Sequence, residues 1–322
     1  MINWLRLIRY KNLLIVFLTQ LLVWYCLIYD SISYSGVQLL LNFSNFILLS
    51  ISTILISAAG YIINDYFDIK IDIINRPEKV ILEKTIPLRT AIIAHAVLNV
   101  LALLLAGIVA AQVQHYAWLL FQMGCIILLW FYSTHFKRQY IIGNVTIALL
   151  TALTIVVLVL YEPAMYAFVQ QPLIISYPCN PSIINPLWMC AGFCFFAFML
   201  TWMREIVKDM EDFKGDAEEG CVTMPIKMGL QFSARWAIAL GIATILALVF
   251  ADLYFINNVA FLGFYIIAFI ILPLIWWCFY LLKNNTLQHY RSASKWLKII
   301  MLAGITLLII YSFFYFRLPC QN

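Results

Sequence analysis

The chain has 322 residues, of which 65% are hydrophobic, 16% aromatic and only 11% charged, with a formal net charge of +5. Soluble domains carry about 25% charged residues, so this composition excludes an ordinary water-soluble fold and makes lipid the expected solvent. No basic, aromatic-interleaved polar segment is present, which excludes nucleic-acid binding as the origin of the positive charge.

A helix rising about 1.5 Å per residue needs about 20 apolar residues to cross a hydrocarbon core of about 30 Å. Such runs fall, in chain order, at roughly 11-29, 43-63, 89-111, 115-131, 144-162, 187-203, 236-256, 259-282 and 296-316. They are continuous and do not alternate with period two, so helices rather than a barrel are expected. The expected fold is all-α: one polytopic membrane domain over residues 1-322, with nine transmembrane helices in a single bundle around a central cavity. The first run is preceded by Arg6, Arg9 and Lys11, but it is long and no small-residue cleavage site follows it. It is therefore read as the first span and not as a cleaved leader.

Cytoplasmic loops collect Lys and Arg. With the N-terminus inside, Arg6, Arg9 and Lys11 are inside, followed by Lys70, Arg76, Lys79, Lys84 and Arg89 after the second span and Lys137 and Arg138 after the fourth. Arg204, Lys208, Lys214, Lys227 and Arg235 follow the sixth span, and Lys283, Arg291, Lys295 and Lys298 the eighth. Nineteen of the 20 basic residues thus fall on one side, leaving only Arg317 outside. An N-in, C-out protein of the cell (inner) membrane follows.

Three longer segments separate the spans. Residues 163-186 contain Pro163, Pro172, Pro178, Pro181 and Pro186 and no charge, the pattern of an irregular outer loop. Segments 64-88 and 204-235 hold 12 of the 15 carboxylates and are separated by four spans, so they share the cytoplasmic face. Their spacing points to duplication of a four-helix unit, which places a site at the repeat interface. The eight cysteines show no Cys-x-x-Cys pair, and Cys190 with Cys194 read as packing residues. Cys179 and Cys320 fall on the expected outer side, where a disulfide is conceivable.

In the first acidic segment, Asp65, Asp68 and Asp72 share one helical face beside Asn64; in the second, Asp209, Asp212 and Asp216 repeat the spacing and Glu205 extends it by a turn. Carboxylates about 4 Å apart repel by about 4 kcal/mol per pair at an effective dielectric of about 20, so something cationic must sit between them. Oxygen donors without His or Cys select Mg²⁺ or a similar ion, completed by a substrate phosphate. A diphosphate suits such a site best. Arg76, Lys79, Lys137, Arg138 and Lys208 lie on the same side and can hold its remaining oxygens. The alternative, a merely solvated run of charge, is disfavoured by the repetition of the pattern at corresponding ends of two spans. His95, His115, His135 and His289 are scattered and read as packing or interfacial residues.

Asn64 to Asp72 resembles the Asn-Asp-x-x-Asp-x-x-x-Asp motif of the UbiA superfamily of intramembrane prenyltransferases, and Asp209, Asp212 and Asp216 resemble its second aspartate-rich motif. Asn75-Arg76-Pro77, Tyr132-Ser133 with Lys137-Arg138 and Gly143-Asn144, and Thr223-Met224-Pro225 with Gly229 are similar to further segments of that family. The chain departs from it at Glu78 to Lys84, where the family often continues Pro-Ser-Gly. The resemblance implies transfer of a prenyl group from a prenyl diphosphate to a lipophilic acceptor. It implies two Mg²⁺ ions held by Asn64, Asp68 and Asp72 on one side and Asp212 and Asp216 on the other, with Asp68, Asp72, Asp212 and Asp216 essential for catalysis. Asp65 and Asp209 would support these ligands or orient a base. Tyr61, Tyr66 and Tyr132 could face an allylic cation, against the blander reading as interfacial or packing side chains. The second motif is most similar to the digeranylgeranylglyceryl phosphate synthase branch, whose acceptor is a prenylated glycerol phosphate. An aromatic acceptor of quinone biosynthesis is the alternative. Readings from other classes are a cation transporter, disfavoured because the carboxylates cluster at one membrane face and not near its midplane, and a non-catalytic scaffold.

Overall fold

The computed structural model describes residues 2-172, 174-177, 180-256, 260-283 and 286-317. Cys179 and Cys320 lie outside them, as does the side chain of Lys79. A short helix, α1 (Ile2–Leu7), leads through Arg9, which has a left-handed backbone (φ 52°), into α2 (Tyr10–Val23). A π-helical turn at Trp24–Tyr29 carries that helix on into α3 (Asp30–Ser35). Asn42 caps α4 (Phe43–Phe67) by accepting from Asn45 N. A one-residue break then starts α5 (Ile69–Asn75), followed by α6 (Leu88–Gln112), α7 (Trp118–Thr134) and α8 (Ile142–Leu160).

Across the outer segment, a 3₁₀ helix at Pro163–Gln170 precedes an antiparallel hairpin of β1 (Ile174–Tyr177) and β2 (Asn180–Ile184). The sequence reading expected only an irregular loop here. A two-stranded ribbon consists of edge strands alone, which accommodate proline, so the proline pattern concealed it. The second half runs through α9 (Pro186–Glu211), α10 (Phe213–Glu218), α11 (Met224–Met228), α12 (Leu230–Ala251), α13 (Ala260–Ile266), α14 (Leu272–Leu282) and α15 (Leu287–Ser312).

Among the described residues, eight helices are long and apolar enough to cross a membrane, and α7, with 17 residues, is a shorter apolar helix. Each of the nine apolar runs read from the sequence coincides with one of these. Their outer surfaces carry large apolar side chains, among them Leu104, Leu120, Leu246 and Phe264, as lipid contact requires. Inside, small residues and polar-to-backbone hydrogen bonds replace the hydrophobic driving force that lipid removes. Gly60 lets α7 approach α4 until Leu129 lies 3.0 Å from where a Cβ would stand. Ser52 Oγ donates to Ala102 O of α6 (2.8 Å), and Gln20 Nε2 to Thr154 O of α8 (2.8 Å). At the hairpin end, buried Glu162 accepts from the backbone N–H of Leu41 (2.7 Å) and Ala164 (3.0 Å).

Candidate active site at the ends of helices four and nine

Both acidic segments use the same backbone device. Asp68 ends α4 at φ −95°, ψ 1°, its N–H donating to Asn64 O, and α5 restarts with Asp72 N donating to Asp68 O (2.8 Å). Asp212 ends α9 at φ −91°, ψ 5°, its N–H donating to Lys208 O, and α10 restarts with Asp216 N donating to Asp212 O (3.1 Å). The single non-helical residue turns each short helix while keeping the aspartates three and four residues apart. This matched geometry fits the duplication read from the sequence.

The two segments are latched together. Asn75 Nδ2 donates to Asp212 O (3.0 Å) and its Oδ1 accepts from Gly215 N (2.9 Å). A Cβ at position 215 would lie 2.5 Å from Asn75 Nδ2, so only glycine admits this contact. Arg76, next in the chain, reaches Asp212 Oδ1 (2.6 Å) and Glu211 Oε1 (2.9 Å), and Arg291 Nε donates to Glu211 Oε1 (2.8 Å).

Between the segments opens a cavity of about 260 Å³. Its polar end is lined by Asn64, Asp68, Asp72, Asp209 and Asp212, with the cations Arg76, Lys137 and Lys208. Tyr61 and Tyr132 also line it, and its apolar wall includes Ile56, Phe121, Leu129, Leu150 and Met301. Lys137 ion-pairs with Asp68, whose Oδ2 also accepts from Asn64 Nδ2 (2.6 Å). Gly143 fixes the Lys137 turn, since a Cβ there would stand 2.7 Å from Phe136 O and 2.9 Å from Lys137 Cα.

Other expected site residues stand further back. Asp216 is buried, does not line the cavity, and interacts electrostatically with Lys137, Asp212 and Asp68. Asp65 is ion-paired to Arg9 (2.6 Å) and Asp209 accepts from Asn144 Nδ2 (2.9 Å). Arg138 does not line the cavity, and its carbonyl accepts from Val222 N (2.8 Å). Tyr66 packs edge-on against Phe67 (5.2 Å) outside the cavity lining. Lys208 pairs with Glu205 (2.8 Å) rather than with an aspartate of either row.

The electrostatics are those of a site built to receive a cation. Burial pushes the Asp72 carboxyl up to about 6, reinforced by Asp68 and Asp65 and opposed by Lys137 and Arg9. Burial pushes Asp216 up to about 7 against the pull of Lys137, with Asp212 and Asp68 adding to the rise. Asp212 is raised as well, burial outweighing the neighbouring Arg76 guanidinium. Burial opposes the charge of Lys137, but Asp68 and the other anionic neighbours outweigh it and raise its pKa. Among the described residues no three carboxylates are gathered into a ready metal cage, because Lys137 and Arg76 are interleaved with them. The cavity-facing donors are carboxylate and amide oxygens, a hard set that fits Mg²⁺.

Several cavity residues were counted in the sequence only as topology-setting charges or not at all. Arg9 lies over the Tyr61 ring (4.9 Å), and Asn12 Nδ2 donates to Tyr61 Oη (3.2 Å). Lys298 Nζ donates to Asn12 Oδ1 (2.9 Å), and Arg204 pairs with Glu205 (2.8 Å). The available signal was a charge inside or beside an apolar run, which in a membrane helix marks a functional position.

The profile of the UbiA prenyltransferase family matches residues 22–302. Digeranylgeranylglyceryl phosphate synthases of Methanobrevibacter smithii and Methanosphaera stadtmanae are each 30% identical over 256 residues. They cover 80% of this chain and 83% and 84% of their own lengths. A solved structure of a digeranylgeranylglyceryl phosphate synthase superposes with a TM-score of 0.62 at 26% identity, covering 96% of this chain and 97% of that one. A UbiA homologue from Archaeoglobus fulgidus, solved with DMAPP and Mg²⁺ bound, shares the fold with a TM-score of 0.52 at 17% identity, covering 96% and 99% of the two chains. Sequence profile, relatives and fold agree: the chain belongs to the UbiA prenyltransferase family and is a membrane prenyltransferase.

Proposed function

We propose that the enzyme transfers a prenyl group from a prenyl diphosphate to the free hydroxyl of a prenylated glycerol phosphate, in one membrane domain whose active site opens to the cytoplasm. One observation carries this reading: aspartates from two matching helix breaks, Asp68 with Asp72 and Asp209 with Asp212, line one cavity together with cations and apolar side chains. The names of the relatives support the acceptor, and the one-sided distribution of basic residues supports the cytoplasmic side and the cell membrane.

Asn64, Asp68 and Asp72 would hold one Mg²⁺ and Asp212 with Asp216 a second, with Asp65 and Asp209 supporting the two rows. Mg²⁺ neutralises the charge that develops on a departing diphosphate. Arg76 and Lys137, already at the cavity, would bind diphosphate oxygens that the carboxylates do not reach; Lys79 and Arg138 would act from its rim. The allylic C–O bond breaks with its electron pair leaving on the diphosphate, and the acceptor oxygen forms the new C–O bond as its proton leaves to a base. The Tyr132 ring, which lines the cavity, would face the developing positive carbon; Tyr61 already receives the Arg9 guanidinium on its ring. The apolar wall would hold the isoprenoid chain and keep water from capturing the cation.

The test incubates purified enzyme with labelled geranylgeranyl diphosphate, Mg²⁺ and a panel of glycerophosphate and aromatic acceptors. An ether product on the prenylated glycerol phosphate is expected; prenylation of a hydroxybenzoate or dihydroxynaphthoate instead would overturn the acceptor assignment.

A further inference from the structure

The cavity extends away from the aspartate rows as far as Thr53 on α4, Gln122 on α7 and Thr154 on α8. Thr53 precedes Asp68 by 15 residues, which at about 1.5 Å per residue sets it about 22 Å deeper. Helices α4 and α7 run the same way, since Lys137, just beyond α7, pairs with Asp68 at the end of α4. Leu129 of α7 abuts Gly60 of α4. Gln122 precedes Leu129 by seven residues, as Thr53 precedes Gly60, so Gln122 and Thr53 stand at about one depth. Gln20 of α2 ties the same level together: its Nε2 donates to Thr53 Oγ1 (3.3 Å) and to Thr154 O (2.8 Å).

This polar end is incompletely satisfied. Gln122 is 2% exposed, and its Nε2 has no hydrogen-bond partner among the described residues; nor has Gln20 Oε1. A polar side chain in a membrane helix ordinarily bonds across to a neighbouring helix. The Gln122 amide instead stays available to whatever fills the cavity. It stands too deep to touch a diphosphate held at the aspartate rows. Water can satisfy it there and a hydrocarbon cannot, and displacing a hydrogen-bonded water by an apolar group loses affinity.

The depth matches a definite length of chain. An extended chain advances about 1.2 Å per bond, so four isoprene units, about 16 main-chain bonds from the ester oxygen, span about 19 Å. Five units, about 20 bonds, span about 24 Å and overrun the depth available. We infer that Gln122 and Thr53 close the prenyl end of the cavity and limit the donor to four isoprene units. This rests on the reading that the diphosphate sits at the aspartate rows and the isoprenoid chain lies along the cavity wall. Gln122 is a specificity-determining residue in this account and takes no part in breaking or forming the C–O bond.

The test is calorimetric binding of farnesyl, geranylgeranyl and geranylfarnesyl diphosphates, with Mg²⁺ and no acceptor, to the full-length, detergent-purified enzyme. Wild type should bind the five-unit donor about 10- to 100-fold more weakly than the four-unit donor, the cost of leaving one buried polar group unsatisfied. Gln122→Met, which keeps the length and removes the amide, should bring the two within about threefold. Gln122→Trp, which shortens the space, should weaken the four-unit donor by about tenfold or more. In both variants the three-unit donor, too short to reach position 122, should change by less than about twofold. Thr53→Val should also narrow the gap between four and five units, and it covers the case in which the Gln122 variants fold poorly. Equal affinity of wild type for four- and five-unit donors would overturn the inference. An unchanged ratio in both Gln122→Met and Thr53→Val would overturn it too, leaving Gln122 the holder of a structural water only. Failure of wild type to bind all three donors would overturn the diphosphate site itself and the inference with it, whereas binding of all three without discrimination overturns the inference alone.

Discussion

The ends of α4 and α9 share one backbone device and differ in everything attached to it. In the first, Asn64, Asp68 and Asp72 all face the cavity, and the balancing cations come from distant elements: Lys137 on Asp68, and Arg9 on the adjoining Asp65. In the second, Asp209 and Asp212 face the cavity, Asp216 stands behind, and the bracing comes from the first segment itself through Asn75 and Arg76. Two matching helix breaks thus dock asymmetrically around one cavity. The first row depends on the rest of the bundle for its charge balance; the second depends on the first for its position.

The largest effect should come from removing a cavity-facing aspartate of either row. Asp68→Ala and Asp212→Ala should each lower kcat by about 1,000-fold or more, the scale of losing electrostatic stabilisation that acts on the transition state, with membrane insertion unchanged. A variant of one row that keeps substantial turnover would show that the rows are not equivalent in chemistry. A smaller effect is expected at the latch. Gly215→Ala pushes a methyl to within 2.5 Å of Asn75 Nδ2 and should cut kcat/KM by about 10- to 100-fold, because small misplacements of positioning groups are costly. Asn75→Ala removes that obstacle, so the double variant should be less impaired than the product of the single effects; multiplicative losses would break the docking argument.

The smallest effect is on pH dependence. Asp72 is raised to about 6 and Asp216 to about 7. A carboxyl raised by folding contributes stability that is fully present below its unfolded value and is lost as pH rises through 6 to 7. The metal-free enzyme should therefore melt at a lower temperature at pH 8 than at pH 5.5. Stabilisation by Mg²⁺ should grow over the same interval, since metal replaces protons on its ligands. A Mg²⁺-induced shift in Tm that is the same at both pH values would contradict the charge balance assigned to the two rows.

The sequence carried the fold because a lipid solvent makes each span announce itself as an unbroken apolar run. It carried the aspartate rows because a repeated three-then-four spacing survives a one-residue helix break. The Asn75–Gly215 latch was invisible, since it joins residues 140 positions apart through a contact no local pattern encodes. Arg9, Arg204 and Lys298 were in plain view but already had an explanation as topology-setting charges. Only the packing of α2, α9 and α15 brings them to the wall of one cavity. The hairpin was missed because a ribbon of two edge strands tolerates the prolines that usually exclude strands.

The claim on which the site depends is that both rows grip one ligand. Calorimetry of Mg²⁺-dependent binding of an unreactive thio analogue of geranylgeranyl diphosphate, to wild type, Asp68→Ala, Asp212→Ala and the double variant, addresses it most directly. Each single variant should lose most of the affinity and the double variant should lose little more, since either loss already opens the shared grip. Wild-type affinity in either single variant, or losses that simply multiply, would contradict it.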